Sequence, residues 1–190
     1  MRYGLILGDQ LSEEIATLKR LDKHEDVILM AELVEETTYV KHHPQKIALI
    51  FSAMRHFAKH LKQQGWTVRY QVFDRSKITN NFLQFLKSQL DKQDAKGLVI
   101  TECGEYRLQY QMENSWEKEL NIPIQILIDD RFFSSIQAFK QWSSTAKVLR
   151  MEFFYRKLRQ QTGYLMEADK PIGGKWNFDA EYRNKWKNQV

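Results

Sequence analysis

At 190 residues, with 43% hydrophobic and 28% charged side chains, the chain has the composition of one ordinary globular domain, with room for an appendage and enough length to bury a real core. The 29 Lys and Arg against 24 Asp and Glu leave a net charge of +5, which permits nucleic-acid contact without requiring it and equally suits a soluble protein that happens to be basic. One cysteine, Cys103, excludes an internal disulfide, and it cannot supply the ligands of a structural zinc site or an iron–sulfur cluster.

No apolar run reaches the roughly 18 residues of a membrane span. Met1 to Gly8 lacks the charged, apolar and small-residue zones of a signal peptide, so a cytoplasmic location is expected. Tyr3 to Leu7 is a short apolar run ended by Gly8-Asp9-Gln10, the pattern of a buried strand. Ser12-Glu13-Glu14 then opens a short helical pattern containing Ile15 and Leu18, with Ser as cap and Glu at the positive helix end. Asp26 to Ala31 is a second apolar run leading to Glu32. From Gln45 onward Ile47, Ile50, Met54, Phe57, Ala58 and Leu61 share one helical face, with Pro44 placed to start the helix and Gly65 to end it.

Thr67 to Phe73 alternates as a third strand and stops at Asp74. Thr79 is the expected cap of a helix whose stripe is Phe82, Leu83, Leu86 and Leu90. Gly97 to Thr101 is a fourth strand followed by Glu102, Glu105 to Glu119 reads as one helix, and Ile122 to Ile128 is a fifth strand ending at Asp129-Asp130. Five apolar strands alternating with helices predict an α/β fold: a Rossmann-like, doubly wound, five-stranded parallel sheet with the first strand central and helices on both faces. The expected division is residues 1–134 for this domain and 135–190 for a C-terminal helical and linker extension. In that extension Phe139 and Trp142 sit in a short helix, and Arg150 to Thr162 forms a second. On its wheel Met151, Phe154, Tyr155 and Leu158 share one arc, while Arg150, Phe153, Arg156, Lys157 and Arg159 lie outside it. Pro171 to Gly174 is turn-rich, and the aromatic tail Trp176, Phe178, Tyr182 and Trp186 has no element to pack into.

The chemistry is positional. No phosphate-binding glycine loop, nucleophile elbow or zinc-protease helix is present; His56 and His60 lack the intervening Glu and read as a solvated face. Cys103 reads as inert, because no triad can be assembled around it. Each strand ends in a carboxylate, at Asp9, Glu32, Asp74, Glu102 and Asp129, and parallel strands bring these ends to one edge, where open α/β sheets bind ligands. Asp74 and Asp129 are expected to cap the next helices. For Asp9 and Glu32, capping and ligand binding both stand, since adjacent strands would place them together. An acidic rim disfavours phosphate and suits a neutral heteroaromatic with N–H and hydroxyl donors. Gln10 adds an amide for a ring edge and Tyr39 a stacking surface, while His42 and His43 can reach the same crevice. No metal site is expected.

Several motifs in one order carry a resemblance. They are Leu7-Gly8-Asp9-Gln10-Leu11-Ser12, Glu36 to His43, Gln45 to Ala48 with Ile50 to Phe57, Thr101 to Arg107, Asp130-Arg131-Phe132, Met151 to Arg156 and Gly173 to Asp179. Together they resemble the photolyase-related proteins, the bacterial iron–sulfur branch of the cryptochrome/photolyase family, across essentially the whole chain. The resemblance implies the amino-terminal antenna domain and the start of a linker. In that family a large helical catalytic domain follows, carrying FAD, a 4Fe–4S cluster and a DNA-lesion pocket; carbon–carbon lyase activity and DNA contact would belong there, and this chain alone would catalyse nothing. It also implies an antenna pocket for 6,7-dimethyl-8-ribityllumazine, formed by Gly8, Asp9, Gln10, Glu32, Glu36, Tyr39 and His43. Asp9 and Glu32 would accept from ring or ribityl donors, Gln10 would pair with the ring edge, and Gly8 would allow close approach. Cys103 and Tyr106 depart from the family's Pro and Trp, which reshapes that loop.

The resulting expectation is a light-harvesting cofactor domain that passes excitation to a flavin, in a flavoprotein of DNA repair or blue-light sensing. The alternative is a nucleic-acid-binding module using Arg150, Arg156, Lys157 and Arg159 against phosphate, with Phe153 stacking. A small-molecule enzyme with Asp9 or Glu32 as base lacks a second catalytic group.

Overall fold

The structure, a computed structural model, describes residues 1–74, 81–90 and 94–179. Five strands, β1 (Tyr3–Leu5), β2 (Val27–Ala31), β3 (Thr67–Gln71), β4 (Leu98–Thr101) and β5 (Ile124–Leu127), form one parallel sheet in the order β3-β2-β1-β4-β5. The first strand is central, as its uninterrupted apolar run requires: Tyr3 pairs with Val27 on one side and Leu98 on the other. This is a Rossmann-like α/β sheet, with the strand order reversing between β1 and β4.

Period-two alternation sorts the strand residues to two faces. Tyr3, Leu5, Leu29 and Ile100 meet Phe82, Phe85 and Leu86 of α4 (Phe82–Gln89), Leu108 and Met112 of α5 (Tyr106–Asn114) and Trp116 of α6 (Trp116–Leu120). Ile6, Ile28, Met30 and Val99 meet Leu18 of α1 (Ala16–Arg20) and Met54, Ala58 and Leu61 of α3 (Pro44–Gln63). The Thr17 and Thr101 hydroxyls, 2.8 Å apart, pin α1 to β4 inside this second layer. A further short helix, α2 (Val34–Thr38), leaves β2 and has no buried residue. It was not expected, because Val-Glu-Glu-Thr-Thr has no apolar period.

Helix ends follow their local chemistry. His43 accepts from Gln45 N ahead of Pro44, and Gly65, at φ +94°, turns the chain out of α3 where an L side chain would be strained. Asn81 caps α4 by accepting from Gln84 N at 2.9 Å; Thr79 lies outside the described residues. The expected single helix over Glu105 to Glu119 is two, broken at Ser115. Ser12 does not cap α1 directly; its Oγ accepts from Glu14 N in the turn before it. Among the described residues no helix is long and apolar enough to cross a membrane.

The chain divides into two compact units, Met1–Arg131 and Phe132–Val190. The second contains α7 (Ile136–Thr145), capped by Ser135, α8 (Met151–Thr162), the small antiparallel pair β6 (Met166–Glu167) and β7 (Lys170–Pro171), and a 3-10 turn at Ile172–Gly174. Phe139 and Trp142 of α7 pack on Phe154 of α8, with ring centroids 5.1 and 4.9 Å apart. Trp176 is not idle: the guanidinium groups of Arg156 and Arg159 lie 5.6 and 5.4 Å from its ring. Tyr182 and Trp186 lie outside the described residues.

Candidate functional site

The carboxyl ends of β1, β2 and β4 surround a cavity of about 220 Å³. Leu7, Ala31, Ile50, Met54, Cys103 and Leu108 make it apolar inside, and Asp9, Glu36, Tyr39, His42, Lys46 and Glu105 give it a polar rim. Gly8 forms part of the wall because α3 comes so near: a Cβ there would lie 3.0 Å from Ile50 Cγ2 and 3.2 Å from Met54 Sδ. An apolar interior with a few polar groups at the mouth, beside the switch point of a doubly wound sheet, is the form of a small-molecule site.

Four of the seven residues expected at the pocket, Gly8, Asp9, Glu36 and Tyr39, line this cavity. The other three do not. Gln10 is fully buried and its amide is fully engaged: Oε1 accepts from Leu7 N at 3.2 Å, and Nε2 donates to the carbonyls of Thr101 and Glu102 at 3.1 and 3.2 Å. It fastens the β1 loop to the β4 loop. Glu32 is directed toward α3 and β3 rather than toward Asp9. Arg55 Nε and Nη2 donate to its two oxygens at 2.6 and 2.8 Å, and Tyr70 Oη and Phe73 N donate at 2.6 and 2.8 Å. Burial alone would raise the Glu32 carboxyl, but these donors outweigh it and hold the group below the ordinary carboxylate range. His43 is exposed and spent on capping α3. His42 reaches the cavity instead, with its Nδ1 3.2 Å from Lys46 Nζ.

Asp129 is not the helix cap expected of it, and α4 is capped by Asn81. Asp129 accepts from the Arg131 backbone N at 3.2 Å and from Nε and Nη2 of the same residue at 2.8 and 2.7 Å, while Arg131 Nη1 donates to the Asp9 carbonyl at 3.1 Å. That chain of contacts fixes the backbone of the β1 loop and leaves the Asp9 carboxylate at the cavity mouth. Glu102 accepts from Asp129 N at 3.2 Å, and α5 is capped by Glu105, whose Oε1 accepts from Arg107 N at 3.1 Å. His60 bonds Glu13 at 2.5 Å on the surface. Cys103 is 4% exposed, its thiol is pushed up to about 11 by burial, and it donates to the Glu105 carbonyl at 3.2 Å, an unreactive setting at ordinary pH.

Arg107 belongs to no site expected from the sequence. Its Nη1 donates to Glu35 at 2.7 Å and its Nη2 to Glu36 at 2.9 Å; Glu105 Oε2 stands 3.0 Å away, and the guanidinium carbon is 4.8 Å from the centre of the Tyr39 ring. Burial, opposed by Arg107 and reinforced by the neighbouring carboxylates, pushes the Glu36 carboxyl above its ordinary range. A signal did exist. A cation in the first turn of a helix opposes the helix dipole and needs a dedicated anionic partner.

The basic helix does not present its charges together. Arg159 is 7% exposed and turned inward, donating to the carbonyls of Tyr164 and Leu165, and Arg156 is paired with Glu152. Arg150, half-exposed Phe153 and Lys157 remain, with Arg150 and Arg156 both about 5.9 Å from the Phe153 ring centre.

Over residues 4–190 the chain matches the family model described as deoxyribodipyrimidine photo-lyase-related protein. Over 179 residues it is 44% identical to a protein named "(6-4) photolyase" from Agrobacterium fabrum (strain C58 / ATCC 33970), taking in 94% of this chain and 35% of that protein. The chain thus spans about a third of the length of the curated relative it matches.

Proposed function

Because the chain belongs to the deoxyribodipyrimidine photo-lyase-related protein family, we propose that Met1–Arg131 is its antenna-cofactor-binding domain, with the cavity at the ends of β1, β2 and β4 as the chromophore site. The observation that carries this reading is the cavity itself: apolar inside, with the carboxylates of Asp9, Glu36 and Glu105 on its polar rim, and beside the switch point of the sheet. A ribityl-lumazine fits those residues. Its neutral ring system suits the surface of Leu7, Ile50, Met54 and Leu108, and its donors suit Asp9 and Glu36. The volume is below the roughly 300–1,000 Å³ usual for small-molecule pockets, which suits a ring system inside and leaves the hydroxyl chain for the polar rim. When bound, that group would absorb light and pass excitation to a flavin. The chain's own part is to orient the ring, exclude water from it and satisfy its hydroxyls. In the whole polypeptide this would serve light-driven DNA repair or blue-light sensing, with FAD, a 4Fe–4S cluster and DNA as partners of a further helical domain.

Titrating the purified chain with 6,7-dimethyl-8-ribityllumazine should shift the ligand's absorbance and raise its fluorescence anisotropy. Ile47→Trp, which adds bulk to the cavity wall from the partly exposed first turn of α3, should abolish both changes while leaving the unfolding midpoint nearly unaltered. A wild-type chain that produces no spectral change at saturating ligand would sink the proposal. The nucleic-acid reading gains no comparable support, since its five residues do not form one free basic surface.

A further inference from the structure

Helix α2 supplies Glu36 and Thr37 to the cavity wall, with Tyr39 just beyond, yet it has neither buried residues nor a side-chain cap. Its near end is anchored by Leu33, fully buried at the end of β2. The threonine hydroxyls of α2 bond only to Val34 within the helix. Among the described residues, the side-chain ion pairs that tie its far part to the rest of the unit come from Arg107, which bonds Glu35 and Glu36 and lies over Tyr39. Arg107 therefore touches three cavity-lining residues, Glu36, Tyr39 and Glu105, without lining the cavity itself. Burial of an ion pair with this many partners carries weight only if the guanidinium fork keeps its geometry.

We propose that Arg107 is a positioning residue that latches α2 across the cavity mouth, so that the ligand enters and leaves when α2 swings about Leu33 with this latch open. The proposal rests on the cavity being the ligand site, but the latch is a property of the free protein and can be read without ligand. Cys103 is the chain's single cysteine and lines the cavity, so its rate of modification by a thiol reagent reports opening of the mouth.

Arg107→Gln removes all three ion pairs, including the two that hold α2 through Glu35 and Glu36, and each charge-assisted hydrogen bond lost shifts an opening equilibrium by roughly tenfold or more. Labelling of Cys103 at fixed pH should therefore accelerate at least about tenfold. Removing the cation takes the guanidinium away from Glu105, one of the carboxylates that disfavour the thiolate; faster labelling therefore does not come from a more reactive sulfur. Arg107→Lys, which keeps the charge but not the fork, should fall between. As a control for general loosening, Arg2→Gln breaks the Arg2–Asp26 pair at the amino ends of β1 and β2, away from the cavity, where Nη2 and Oδ2 are 2.7 Å apart, and should leave labelling unchanged. With the lumazine as probe, Arg107→Gln should raise the dissociation rate by a similar factor. Equal labelling of Arg107→Gln and wild type, or equal acceleration by Arg2→Gln, would overturn the latch. Failure of the wild type to bind the lumazine while Arg107→Gln still labels faster would overturn the chromophore assignment and leave the latch standing.

Discussion

Glu32 accepts two donors at each oxygen: Arg55 Nε and Tyr70 Oη at Oε1, Arg55 Nη2 and Phe73 N at Oε2. A glutamine in its place must turn an NH₂ group against an Arg55 donor whichever way the amide lies. Glu32→Gln should therefore cost at least about 2 kcal/mol in urea unfolding at neutral pH, even though Arg55 is half exposed and its charge screened. The carboxyl is held below its ordinary value of 4.5, so its contribution is complete above that value and is lost as pH falls through the folded-state value. The difference in stability between wild type and Glu32→Gln should accordingly shrink on acidification from pH 5 downward; a difference independent of pH would refute the assignment. The sequence placed Glu32 at a strand end but could not say which way its side chain turns. That depends on Arg55 and Tyr70, residues brought near only by the fold. Gln10 shows the same limit, since its partners stand at 101 and 102. Asp9 was legible because the glycine before it and the strand end leave its carboxylate at the rim.

Strands and long helices were readable because each carries its own period and its own stops. Pro44 and Gly65 bracket α3 within a residue or two. α2 was not readable, because tertiary ion pairs rather than an apolar stripe hold it. The break between α5 and α6 went unseen for a related reason: Trp116 fits the helical period of either arrangement, and only its burial beside Phe82, with ring centroids 6.2 Å apart, shows why the chain turns at Ser115. α6 has five residues and one fully buried side chain, that indole, with Leu120 partly buried against the same core and Glu119 bonded to Lys87. Trp116→Ala should destabilise the chain by about 3–5 kcal/mol in denaturant unfolding. It should do so with little change in lumazine affinity, because Trp116 is not among the residues lining the cavity.

Both layers of the sheet's core and every residue lining the cavity fall within Met1–Arg131. A chain ended after Arg131 should therefore unfold cooperatively and bind the lumazine as the longer chain does. A fragment that is folded but fails to bind would show that Phe132–Val190 contributes to the site. The same unit has a history imposed by its strand order. β1 is made first but is central: it gains β2 early, and its other neighbour, beginning at Leu98, only after most of the unit has left the ribosome. At roughly 5–20 residues per second, the interval from Tyr3 to Leu98 is about 5–20 s. Throughout it one edge of β1, from Tyr3 to Leu5, stays unpaired on the nascent chain, a half-built sheet that invites stray strands until β4 emerges to close it.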